Sequence, residues 1–153
     1  HGTANWAGMA GFEGTGTGGD IYSLKMQNTD KIAWTMSGAS SMDSPDTLAN
    51  YAAATADGWV HIVGVYDGGN TNTLYVNGSP VASGTATMPI PDKTTPSLFR
   101  IGTYYNNDGY EFNGSIDDVQ LYSQALSAEQ VAELYNHPGQ ALPVRKGTIF
   151  YLR

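Results

Sequence analysis

The stretch Asn113–Glu129, NGSIDDVQLYSQALSAE, decides how this chain is read. Asn113-Gly114 is a turn signal, because both residues tolerate a positive φ. From Ile116 to Tyr122 the residues alternate as in a strand. Asp117, Val119 and Leu121 share one face, and Ile116, Asp118, Gln120 and Tyr122 share the other. Ser127 then caps a short helix, SAEQVAELYNHPG, which Pro138-Gly139 ends. Asp117 is the unusual member of the set. If its face is the core, the carboxylate needs backbone donors or a cation, since an unpaired buried charge is very costly.

Upstream, short alternating runs are separated by turn residues. Trp6–Phe12 reads as a strand, followed by the glycine-rich loop Glu13–Gly19. Asp20–Met26 places Tyr22, Leu24 and Met26 on one side, and Lys31–Ser37 places Ile32, Trp34 and Met36 on one side, with Asn28-Thr29-Asp30 turning between them. Ser37–Asp57 reads as a long polar connection. Trp59–Tyr66 (WVHIVGVY) is apolar on both faces and is predicted to be a central strand buried on both sides, with His61 as a hydrogen-bonded core histidine. Asp67–Asn70 turns the chain into Thr73–Val76, and Asn77-Gly78 turns it again into Pro80–Thr87. Leu98–Tyr104 and Thr148–Arg153 are the remaining strands, the last an edge or closing strand. Asn77-Gly78-Ser79 and Asn113-Gly114-Ser115 match glycosylation sequons in form, but turn formation explains both. The expectation is an all-β, antiparallel β-sandwich with one short helix near the C-terminus.

Composition agrees. Nineteen glycines, ten tyrosines and four glutamates among 153 residues favour many short strands over helices, and the length suits a single domain, 1–153. A net charge of −7 argues against a nucleic-acid partner, whose phosphates it would repel. The absence of cysteine excludes a disulfide framework. No apolar run approaches the roughly 20 residues of a membrane span. No apolar leader is evident, and the chain reads as a mature domain or a module of a longer protein.

Motifs for group-transfer chemistry are missing from the sequence. There is no His/Cys cluster for zinc, no GxSxG elbow, and the GTGTGG run lacks the Lys-Ser/Thr of a phosphate loop. Glycoside hydrolysis needs two suitably spaced carboxylates; Glu111 with Asp117 or Asp118 is the pairing on offer, and no acidic motif clusters them. Binding chemistry is better represented. Asp and Asn oxygens at strand ends and on loops (Asp20, Asn106, Asn107, Asp108 and Asp117) are the hard donors that Ca2+ prefers. Tyr104, Tyr105 and Tyr110 flank that polar loop, and an aromatic face beside amides and carboxylates suits a sugar ring.

From Trp59 onward the chain resembles the laminin-G-like, concanavalin A-like superfamily. The resemblance is carried by WVHIVGVYDG, LYVNGSPV, FRIGTYY and FNGSIDDVQLYSQALSAEQVAELY, in that order, over roughly half the chain. It implies a jelly-roll sandwich that acts as a non-catalytic carbohydrate-binding module of a secreted or cell-surface protein, with a glycan or polysaccharide as ligand. The alternatives are a protein-binding or adhesion domain and, third, a glycan-cleaving enzyme. The implied ligand contacts are Tyr104, Tyr105, Asn106, Asn107, Asp108 and Tyr110. A more distant similarity to pentraxins implies Ca2+ at Asp20, Asn106 and Asp108, with Asp117 matching the first acid of the family's "iDdv" motif at the core edge. The family usually begins with further strands, which are not evident before Trp6. A sheet edge left uncovered in this way would invite oligomerisation.

Overall fold

The computed structural model describes residues 6–14, 20–27, 30–36, 41–85, 97–104 and 109–142. Among these, the elements follow in the order β1 (Gly8–Gly14), β2 (Asp20–Gln27), β3 (Lys31–Met36), β4 (Met42–Thr47), α1 (Leu48–Ala53), β5 (Ile62–Tyr66), β6 (Thr71–Val76), β7 (Ser79–Thr85), β8 (Ser97–Ile101) and α2 (Ala128–Asn136). A five-stranded sheet runs β4-β3-β2-β1-β8, and a three-stranded sheet runs β5-β6-β7. Every ladder between these strands is antiparallel. The result is the expected two-layer β-sandwich.

The core forms where the apolar faces of the sheets meet. Met9, Met26, Ile32, Trp34 and Met36 from the large sheet are buried with Leu74 and Val76 from the small one. The predicted Ile32/Trp34/Met36 face is thus the core face of β3. The layers approach closely at Gly64, where an added Cβ would stand 2.3 Å from the Trp34 indole. Glycine is required there because a side chain would collide with the ring.

Burial on both faces belongs to β2. Ile21, Ser23 and Lys25 on one side and Met26 on the other are each at most 5% exposed. The sequence assigned that role to Trp59–Tyr66, and this is corrected. Only Ile62–Tyr66 forms a strand, it lies at an edge of the small sheet, and all five residues are half-buried. Trp59 is 49% exposed. An apolar run alone does not say whether a second neighbour covers the strand.

The predicted hairpins are present. Asn77 (φ 49°) and Gly78 (φ 77°) form the two-residue turn between β6 and β7, and the positive φ at both is the primed-turn signature. Asp67 closes the preceding turn by accepting from the Gly69 and Thr71 amides at 2.8 and 3.0 Å. α2 begins where expected, on a capping box. The Ser127 hydroxyl accepts from the Gln130 amide, and the Gln130 side chain accepts from the Ser127 amide.

Two segments depart from expectation. Ser37–Asp57 carries structure, namely β4 and the helix α1 capped by Thr47. β4 is irregular, its pairing to β3 shifting between Lys31 and Ala33. The buried Ser44 hydroxyl fills the gap, accepting from the Ile32 amide at 3.0 Å and donating to the Asp46 carbonyl at 2.6 Å. The second departure is Ile116–Tyr122, which joins no ladder among the described residues. Val119 and Leu121 are 40% and 59% exposed, and Asp117 is exposed beside them. The Asp117/Val119/Leu121 face is therefore not a core face in this structure. The predicted strand Thr148–Arg153 lies outside the described residues.

Candidate functional site

The loop expected to carry ligand contacts grows from a tightly tied stem at the end of β8. The Gly102 amide donates to the Met9 carbonyl at 2.9 Å, and the returning Phe112 amide donates to the Gly102 carbonyl at 2.9 Å. The Tyr110 carbonyl accepts twice, from Gly8 at 3.1 Å and from Tyr104 at 3.2 Å. Glu111 forms bridges to both Gly8 and Thr103. This close approach depends on Gly8, where an added Cβ would lie 2.3 Å from the Thr103 carbonyl oxygen.

Aromatic rings and a buried cation brace the stem from inside. The Lys25 ammonium, on a side chain 2% exposed, sits 4.7 Å from the Trp6 ring centroid and 4.5 Å from that of Tyr104. Charge over the faces of two rings is favourable where water is excluded. Lys25 Nζ also donates to the Tyr104 hydroxyl at 3.5 Å. The Tyr104 ring in turn meets Tyr110 edge-on, centroids 6.1 Å apart at 77°.

This arrangement divides the predicted contact residues. Tyr104 is 6% exposed and the Lys25 ammonium lies over its face, so that face is not open to a sugar ring as expected. Tyr110 is half-buried and Glu111 is exposed at the mouth, with Glu111 Oε2 accepting from the Gly109 amide at 2.9 Å. Tyr105, Asn106, Asn107 and Asp108 lie outside the described residues. So does the Asp20 side chain, although its backbone opens β2. Asp117, the other expected cation ligand, accepts from the Asp118 amide at 2.9 Å. Among the described residues, no three carboxylate or imidazole side chains converge on one point.

The carboxylates considered for hydrolysis are all exposed: Glu111, Asp117 and Asp118.

A second feature was not legible in the sequence. Between β5, residues 112–126 and the Tyr22, Leu24, Trp34 and Met36 side chains lies an open cleft of about 1310 Å3. His61 stands at its wall, ring 5.9 Å from that of Tyr135, and burial pushes its pKa below the ordinary imidazole value. Its backbone is satisfied by Asn77, whose Oδ1 accepts from the His61 amide and whose amide donates to the His61 carbonyl. Its Nδ1, however, has no hydrogen-bond partner among the described residues. The expected hydrogen-bonded core histidine is thus a packed one whose Nδ1 finds no partner among the described residues.

Comparison with known proteins follows the same lines. A sequence profile of the concanavalin A-like lectin/glucanases superfamily matches residues 2–132. Over 143 residues, 89% of this chain, the sequence is 32% identical to adhesion G-protein coupled receptor V1 of Danio rerio, and it spans 2% of that protein's length. A crystallised S-layer domain-containing protein from Clostridium thermocellum is similar over 74% of this chain and 55% of its own, at 27% identity and a TM-score of 0.44. The profile match covers both sheets and the NGSIDDVQLYSQALSAE stretch, and on it the chain belongs to the concanavalin A-like lectin/glucanases superfamily.

Proposed function

We propose that the domain is a non-catalytic carbohydrate-binding module of a secreted or surface protein, and that it recognises a glycan at the loop between Tyr104 and Tyr110. The observation that carries this reading is the braced stem. It holds the half-buried Tyr110 ring and, one residue on, the exposed Glu111 carboxylate at the same end of the loop. A sugar needs that pair, with C–H faces on the ring and hydroxyls toward the acceptor oxygens. Binding residues are commonly held on loops that a rigid scaffold positions. The lectins within the superfamily's name are in keeping with it. Asp20, Asn106 and Asp108 would supply the hard oxygen donors for a Ca2+ ion that assists recognition. The exposed carboxylates support a binding role over a hydrolytic one, so no reducing sugar should be released from a bound polysaccharide.

A glycan array probed in Ca2+ and again in EDTA tests this reading. Binding to at least one glycan class, weakened by EDTA, is the expected result. A blank array under both conditions overturns it. A protein-binding or adhesion domain is the second reading, favoured by the 32% identity to a protein named as an adhesion receptor. Under it the ligand is a polypeptide, and alanine at Tyr105 and Asp108 leaves polysaccharide binding untouched.

A further inference from the structure

The sequence carries the pair Asn-Gly twice, and the fold treats the two copies differently. Asn77-Gly78 is locked. Both residues have a positive φ, as their two-residue turn requires. The Asn77 carboxamide is tied at both ends, with Oδ1 accepting from the His61 amide at 3.1 Å and Nδ2 donating to the Tyr51 carbonyl at 3.4 Å. Its backbone amide donates to the His61 carbonyl at 2.8 Å. Tyr135 covers Gly78, with ring carbon Cδ1 2.9 Å from where a Cβ would stand.

Asn113-Gly114 lacks these restraints. Neither residue has a positive φ, so the primed turn that accounts for the first pair is absent from the second. Both residues are exposed, and among the described residues neither the Asn113 side chain nor the Gly114 amide makes a hydrogen bond. Glycine is required at 114 for packing instead. An added Cβ would stand 2.6 Å from the Phe112 ring, which itself packs on the core. The outcome is an exposed carboxamide followed by a backbone nitrogen that no side chain screens.

We propose that Asn113 is a site of spontaneous covalent modification, converting through a cyclic imide to aspartate and isoaspartate, while the fold holds Asn77 against the same reaction. The Gly114 nitrogen, having lost its proton, attacks Asn113 Cγ. An N–Cγ bond forms as the Cγ–Nδ2 bond breaks, and the side-chain nitrogen leaves as ammonia. Water then opens the imide. Cleavage at Cγ gives aspartate, and cleavage at the backbone carbonyl carbon of Asn113 gives isoaspartate, in which the chain runs through Cβ and Cγ. Both products add a negative charge. Isoaspartate also inserts a carbon into the backbone between Phe112 and Ile116, which both pack on the core. The chemistry is independent of what the Tyr104–Tyr110 loop binds.

Peptide mapping by mass spectrometry of the intact chain, stored at mildly alkaline pH with and without urea, tests the proposal. In the folded protein the Asn113 peptide should divide into asparagine, aspartate and isoaspartate forms over days, while the Asn77 peptide stays unchanged. Conversion should quicken as pH rises, because the attacking nitrogen must be deprotonated. In urea both peptides should convert, since Asn77 has then lost its turn and its hydrogen bonds. Asn113→Gln should abolish the change at 113, because the longer side chain closes to an imide far more slowly. Folded protein that keeps Asn113 intact while urea converts it would overturn the proposal. So would equal conversion of Asn77 and Asn113 in the folded state, or survival of Asn77 in urea.

Discussion

Ser44 shows how one side chain can decide a strand. The register of β3 against β4 slips, and the hydroxyl takes the place of the missing backbone acceptor for the Ile32 amide. Ser44→Ala should leave that buried donor unsatisfied at a cost of about 1–3 kcal/mol, measurable as a lower urea midpoint with an unchanged slope. His61 makes a second prediction at this scale. Burial lowers its folded pKa below the unfolded value of about 6.5, so the proton is preferred by the unfolded chain. Above that pH both states are neutral and the histidine contributes no pH dependence. As pH falls through about 6.5 the unfolded state takes up the proton first and stability declines. His61→Gln should flatten the melting temperature between about pH 7.5 and pH 5.5. Asp46 and Asp67, held low by hydrogen bonds, first from the Asn50 side chain and the Thr71 amide respectively, add their own losses only below about pH 4.

Among the elements, those that were legible in the sequence are those specified locally. The α2 capping box is a pattern within four residues, and the Asn77-Gly78 turn within two. β4 was missed because MDSPDT has no apolar alternation and a single β-branched residue, Thr47, and its pairing rests on the Ser44 hydroxyl reaching Ile32. Ile116–Tyr122 has a strand's alternation, yet whether a strand finds its partner is a tertiary matter that periodicity does not address. Tyr104 was misread for a related reason: the lysine covering its face lies 79 residues earlier in the chain. The stem that Tyr104 braces gives the prediction at this scale. Gly8→Ala forces a Cβ against the Thr103 carbonyl and should pry β1 from Thr103 and the returning Tyr110–Glu111 segment. Glycan binding should fall by about tenfold or more, equivalent to about 1.4 kcal/mol, while circular dichroism keeps its β signature. Unchanged binding would mean that the stem does not position the site.

The molecule as a whole is a sandwich with one well-closed end and one open side. Its deepest packing joins β2 and β3 to β6, whereas β5 and residues 116–122 leave a cleft between them. The most direct test of the central claim is migration of the wild-type domain and Tyr110→Ala through gels containing plant or algal polysaccharides, run with Ca2+ and with EDTA. The account predicts that at least one polysaccharide retards the wild type in Ca2+, and that loss of the Tyr110 ring weakens this by about fivefold, as expected for a stacking contact worth about 1 kcal/mol. Equal mobility of both proteins in every gel, with and without Ca2+, would contradict it.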